Sequence, residues 1–133
     1  MSTVHITNPI SVLAVDDQRL DLTMLKNQLL LTDIPMEVTT CRSFEEAVKR
    51  LEKPGQFDLV ILDYFLDEEE GFEVIAQARE AGNLVPFVVV SGKSGELFSR
   101  ELIKAGASDV LSKPVSSNTL KEVISAILDS NES

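Results

Sequence analysis

Several features are scarce or missing. The sequence has one cysteine, Cys41, no tryptophan, and 12 basic residues against 22 acidic ones. A lone cysteine excludes an internal disulfide and any metal site built from cysteine pairs. No apolar run approaches the roughly eighteen residues of a membrane-spanning helix, so membrane insertion is not expected. Residues 1–9 lack a basic stretch followed by an apolar one and do not read as a secretory signal. Together these absences favour a cytoplasmic protein. The shortage of basic residues leaves a net charge of −10 and a pI near 4.5. Such a surface repels phosphate backbones, so direct nucleic-acid binding is not expected. There is no internal repeat, no low-complexity segment and no Pro-, Gly- or Ser-rich linker. The 133 residues suit one domain over 10–129, with tails at 1–9 and 130–133.

What is present alternates regularly. Residues 10–15 (ISVLAV), 59–62 (LVIL) and 87–90 (FVVV) are short runs of almost wholly apolar character. Runs of this kind suit strands buried on both faces, as in a parallel sheet. Residues 36–41 (MEVTTC) are more polar and alternate, as an edge strand does, and Val110-Leu111 is a last, short strand. Helical spacing appears at Phe44, Ala47, Val48 and Leu51, with Ser43 and Glu46 as a capping box, and at Leu120, Val123, Ile124, Ile127 and Leu128 after Ser116. Leu22, Leu25 and Leu29 line a helix over 18–31, and Phe72, Ile75, Ala76 and Arg79 begin another. A further helix over 95–105 is stopped by Gly106. Phe72 and Phe98 read as core. Strand and helix therefore alternate five times, which implies βαβ units with right-handed crossovers and helices on both faces of a parallel sheet.

In such a sheet the functional crevice lies beyond the carboxyl ends of the strands. The residues there are Asp16 and Asp17 after the first strand, Asp63 after the third, Ser91-Gly92 after the fourth, and Ser112-Lys113-Pro114 after the fifth. Clustered carboxylates repel one another and call for a cation. Oxygen donors without His or Cys select a hard ion, best Mg²⁺, which accepts phosphate as a further ligand. Lys113 can pair with a carboxylate or a phosphoryl oxygen, and Ser91 can donate a hydrogen bond to that oxygen. A carboxylate facing the phosphoryl group can act as nucleophile. Asp63, alone at the end of the central strand, is the candidate phosphoacceptor, while Asp16 and Asp17 grip the metal. Each residue alone has an ordinary reading as a turn, cap or loop residue; the informative feature is their joint occurrence at successive strand ends.

These residues resemble those of the receiver domains of two-component response regulators, across roughly residues 10–128. The matching features are Asp16-Asp17, Asp63 after LVIL, Gly71 eight residues beyond it, Ser91-Gly92 after FVVV, and Lys113-Pro114. The resemblance implies a five-stranded parallel sheet of order 2-1-3-4-5 with helices on both faces, a flavodoxin-like receiver fold. It implies metal ligation by Asp16, Asp17, Asp63 and the backbone carbonyl of Phe65. It also implies a phosphorylation switch fed by a sensor histidine kinase or phosphotransfer protein and read by a downstream protein through altered contacts, over the face from about position 94 to 129. Such a chain is not an enzyme beyond its own phosphorylation and slow dephosphorylation, and is either a stand-alone regulator, like the chemotaxis regulators, or one receiver of a longer protein. Phe65, Gly92 and Lys93 flank the phosphoryl group by the same analogy and govern access to it. Two departures stand out: Leu66-Asp67 replaces the family's common Met-Pro, and Val110 occupies the position of its switch aromatic.

Two other functions fit less well. A Mg²⁺-dependent phosphohydrolase with an aspartyl nucleophile usually needs an acid two residues past it, where Phe65 stands, and a cap domain. A flavodoxin-like cofactor binder needs a phosphate loop after the first strand, where two acids would repel the phosphate.

Overall fold

Each apolar run becomes a strand, because helices cover both faces of the sheet and no position on a central strand needs to be polar. The computed structural model describes residues 9–66, 69–70, 72–92 and 96–132, with side chains except at 65–66, 69–70, 72, 96–98 and 131–132. The elements are β1 (Ile10–Val15), α1 (Arg19–Leu30), β2 (Met36–Cys41), α2 (Phe44–Arg50), β3 (Leu59–Asp63), β4 (Phe65–Leu66), β5 (Glu69–Glu70), α3 (Phe72–Glu80), β6 (Phe87–Ser91), α4 (Glu96–Lys104), β7 (Asp109–Ser112) and α5 (Ser117–Glu132). The main sheet is parallel, in the order β2-β1-β3-β6-β7. Without the short β4–β5 pair this is the expected 2-1-3-4-5.

The sheet divides the interior into two cores by simple alternation. Leu13, Val15, Val60, Leu62, Phe87 and Val89 point to one face, where Ala47, Ile75 and Leu102 of α2, α3 and α4 cover them. Val12, Leu59, Ile61, Val88 and Val90 point to the other, under Leu29 of α1 and Leu120 and Ile124 of α5. Cys41 closes the first core at the end of the edge strand, and burial pushes its thiol up to about 12, with the Glu46 charge adding to the effect.

Local signals read from sequence form as expected in several places. The Ser43 hydroxyl accepts the Glu46 N–H at 3.1 Å, and Glu46 accepts the Arg42 N–H at 3.4 Å. Ser116 caps α5 by accepting the Thr119 N–H at 3.2 Å. Gly106 ends α4 at φ 121°, with its N–H on the Ile103 carbonyl and the Ala107 N–H on that of Leu102. Arg79 ties the same corner together: its guanidinium donates to the carbonyls of Asn83 (2.9 Å), Val85 (3.0 Å) and Gly106 (3.2 Å) and lies over the Phe87 ring.

Other expectations need correction. The antiparallel β4–β5 pair was not anticipated; two-residue strands carry no readable period. The inward face of α3 uses Val74, Ile75 and Ala78, while Ala76 is exposed. α5 continues through Glu132, so residues 130–132 are helix rather than tail, with no Gly or Pro to stop it. Gly71 and the side chains of Phe72 and Phe98 lie outside the described residues.

A Cβ on Gly106 would meet Ile75 Cγ2 at 3.0 Å, whereas one on Gly55 (φ 91°) would meet open space. Both conformations disfavour a side chain, but only the first also collides with the core. Gly106→Ala should cost about 2–3 kcal/mol in urea unfolding and Gly55→Ala about 1 kcal/mol. Equal losses would show that the Ile75 contact contributes nothing.

Candidate functional site

The register of the sheet builds the site. Val15 pairs with both Cys41 and Leu62, so Asp16, the next residue of the chain, emerges beside Asp63. Asp63 in turn pairs with Val90, which sets Ser91 at the following rung, and Ser91 pairs with Ser112. The ladder is extended at the rim by Asp16 N–H to Cys41 O (3.1 Å), Tyr64 N–H to Val90 O (3.0 Å) and Lys113 N–H to Ser91 O (2.9 Å). Side chains distant in sequence are thus held by main-chain hydrogen bonds rather than by their own affinities.

Asp16 also sets the entry into α1. Its Oδ1 accepts the Gln18 N–H at 2.9 Å, turning the chain into the helix. The Lys113–Pro114 peptide is cis, and the loop after it is secured to α1 by the Gln28 side-chain oxygen, which accepts the Ser117 N–H at 2.9 Å.

Four of the expected residues converge, Asp16, Asp17, Asp63 and Lys113, and Ser91 ends β6 on the same rim. Asp16, Asp17 and Asp63 each offer a carboxylate oxygen within 4.8 Å of the others. Lys113 Nζ donates to Asp63 Oδ1 at 2.8 Å and to Asp16 Oδ2 at 3.4 Å. Asp16, Asp63 and Ser91 are buried, while Gly92 is exposed and a Cβ there would meet open space. Val110 lies on β7 beside Val89, half-buried against the α2–α4 core. The backbone of Phe65 is in β4; its side chain and all of Lys93 lie outside the described residues.

One participant was missed. Asp21, in the first turn of α1, accepts from Lys113 Nζ at 3.2 Å. From sequence alone it was an acid favourably placed at a helix N-terminus, with nothing to connect it to a lysine 92 residues on. Beside these charges opens a cavity of about 570 Å³, its apolar wall including Met24, Leu25, Ile61, Val90 and Val115.

Burial dominates the electrostatics. It pushes the Asp63 carboxyl up to about 6; the Lys113 hydrogen bond opposes this, and the Asp16 and Asp17 charges reinforce it. Asp16 is also raised, chiefly by burial, against the Gln18 N–H and Lys113. Burial by itself would lower the Lys113 ammonium, but Asp63, with Asp16 and Asp21, holds it above its usual range. The arrangement is a partly buried acidic cluster, able to take a cation, with an ammonium positioned against its central carboxylate.

Residues 12–125 match the family profile of the response regulator receiver domain. The chain belongs to that family. The receiver domain is 30% identical over 131 residues to the two-component response regulator ORR3 of Oryza sativa subsp. indica, covering 96% of this chain and 98% of the rice protein. It is 32% identical over 123 residues to the alkaline phosphatase synthesis transcriptional regulatory protein PhoP of Bacillus subtilis, covering 91% of this chain and 49% of that protein. Among solved structures it resembles the CheY-like response regulator receiver domain protein of Methanospirillum hungatei JF-1, with a TM-score of 0.81, 27% identity, and coverage of 94% of this chain and 98% of that one. The receiver domain is therefore a module of two-component signal transduction.

The raised Asp63 carboxyl has a consequence for stability. The native state holds this proton more tightly than the unfolded chain, so between about pH 4 and pH 6 the native state binds the extra proton and stability falls as pH rises. In the absence of divalent cations, Asp63→Asn should stabilise the protein at pH 7 by about 1–3 kcal/mol, with the gain gone near pH 4. Urea unfolding at the two pH values measures it; an equal gain at both would contradict the assignment.

Proposed function

We propose that Asp63 accepts a phosphoryl group from a phosphohistidine donor in a reaction requiring Mg²⁺, and that the protein signals through altered protein–protein contacts. The observation that carries this reading is the 2.8 Å contact of Lys113 Nζ with Asp63 Oδ1 at a cluster of three carboxylates whose oxygens approach within 4.8 Å. The donor set contains only oxygen, as Mg²⁺ prefers, and the family resemblance adds the Phe65 carbonyl. Bound Mg²⁺ would supply the positive charge that offsets repulsion between these acids and an incoming phosphoryl group.

In the transfer itself, an Asp63 oxygen attacks phosphorus while the P–N bond to the donor imidazole breaks. The nitrogen keeps the bonding pair. Lys113 and the Ser91 hydroxyl then hold phosphoryl oxygens, and exposed Gly92 leaves the approach open to the donor. The partner is a sensor histidine kinase or a phosphotransfer protein. Leu20 and Met24, 71% and 53% exposed on α1, offer such a donor apolar surface near the rim. The setting is cytoplasmic, and residues 10–129 carry the receiver function.

Output is assigned to the α4–β7–α5 face. Because Val110 replaces an aromatic switch, the change there should be small or run through other side chains. Tyr64 is one such, buried directly after Asp63 in the same core as Val110 and Leu102 of α4.

Acetyl phosphate with Mg²⁺ should add one phosphoryl group by intact mass to the wild type and none to Asp63→Asn. Asp17→Ala should lose metal binding and phosphorylation together. Full phosphorylation of that variant, or of the wild type in excess chelator, would exclude the mechanism.

Lifetime depends on access. Hydrolysis needs water in line with the P–O bond to Asp63, and the bulk of Phe65 is assigned to exclude it, with Lys93 offering no carboxylate or amide to orient one. Phe65→Asn should speed loss of the phosphoryl group about tenfold, equivalent to about 1.4 kcal/mol of barrier. Decay no faster than wild type after donor removal would rule out steric exclusion by Phe65.

A further inference from the structure

Lys113 presents a difficulty for any cation that enters this site. Its ammonium contacts Asp63 at 2.8 Å and Asp16 at 3.4 Å, and these are two of the three carboxylates that would hold the metal. A divalent cation and an ammonium cannot share those oxygens without strong repulsion. The ammonium must give way, and a buried or half-buried charge that moves needs another counter-charge to move to. Among the described residues, Asp21 meets this need: it contacts Lys113 Nζ at 3.2 Å but lies outside the carboxylate trio.

We propose that Asp21 is a positioning residue, the alternate anchor that takes the Lys113 ammonium when a divalent cation occupies Asp16 and Asp63. The inference rests on the cation site of the proposed function and adds a residue and a role to it. Its geometry favours the task. Asp21 is in the first turn of α1, whose start is set by the Asp16–Gln18 turn, so its place relative to the trio is fixed by the backbone. The Gln28–Ser117 hydrogen bond holds the end of the Lys113 loop against the same helix. Asp21 is itself partly exposed, with 43% of its side chain accessible, so its carboxylate stays hydrated while the ammonium is shared and remains ready to receive it. Without Asp21, Lys113 would fall back on Asp16 and Asp63 and compete with the cation.

The test is Mg²⁺ titration of the unphosphorylated protein by calorimetry, in a double-mutant cycle of Asp21→Asn and Lys113→Met. Asp21→Asn should weaken Mg²⁺ binding by about fivefold when Lys113 is present and by less than about twofold in the Lys113→Met background, with Asp21→Glu close to wild type. A uniform loss in both backgrounds would mean that Asp21 acts only as a distant charge, and no loss in either would mean that it does not act at all; each overturns the proposal. A wild type that binds no Mg²⁺ would instead overturn the cation site, and this role with it. Unfolding curves of Asp21→Asn that match wild type in the absence of Mg²⁺ separate the effect from a folding defect.

Discussion

The contact between the Lys113 ammonium and the Asp63 carboxylate is the interaction around which the rest of this receiver domain is arranged. Asp63 is buried at the end of the central strand, beside two further acids. Left to themselves, carboxylates so placed would hold their protons to relieve desolvation and mutual repulsion. Lys113 offsets part of that cost, and itself stays charged because the acids surround it. Neither group is comfortable without the other, and their balance leaves the Asp63 carboxyl near 6 rather than at its ordinary value. A site in this condition is poised to exchange one counter-charge for another.

That contact depends on the sheet. Asp16, Asp63, Ser91 and Lys113 reach one rim because β1, β3, β6 and β7 are in one parallel register. Shifting β3 by one residue against β1 would move Asp63 away from Asp16 and turn its side chain to the opposite face. The two apolar cores hold this register. Every strand side chain in them alternates between the α1–α5 face and the α2–α4 face, so a slip would exchange the two sets against helices shaped for the other. The precision of the site is borrowed from apolar packing well below it.

The same division of the interior bears on signalling. Tyr64, the residue after Asp63, and Val110, beside the last strand's end, both belong to the core covered by α2, α3 and α4. A change of charge at Asp63 therefore borders the core that contains Leu102 of α4, while Lys113 and Asp21 border the opposite side, where α1 and α5 meet. Different groups therefore border Asp63 on the two faces of the sheet.

Much of this could be read from residues in order. Three apolar runs announced a sheet covered on both sides, because polar positions would alternate if one face met water. The capping box at Ser43 and the stop at Gly106 are local, and local hydrogen bonds and φ angles are set by neighbouring residues. Strand ends named Asp16, Asp17, Asp63, Ser91 and Lys113 because chain direction alone sends them to one rim. What escaped was decided by distance in space. Ala76 and Val74 trade places on α3 because the tilt of a helix on the sheet selects its inward face, and a run of small apolar residues permits either. The β4–β5 pair is too short to carry a period. Asp21 is an ordinary first-turn acid until the docking of α1 against the Lys113 loop, fastened by Gln28 and Ser117, brings a distant ammonium to it. Sequence determined which groups reach the rim; only tertiary packing decided which of them share a charge, because an ion pair is a matter of a few ångströms that no spacing along the chain records.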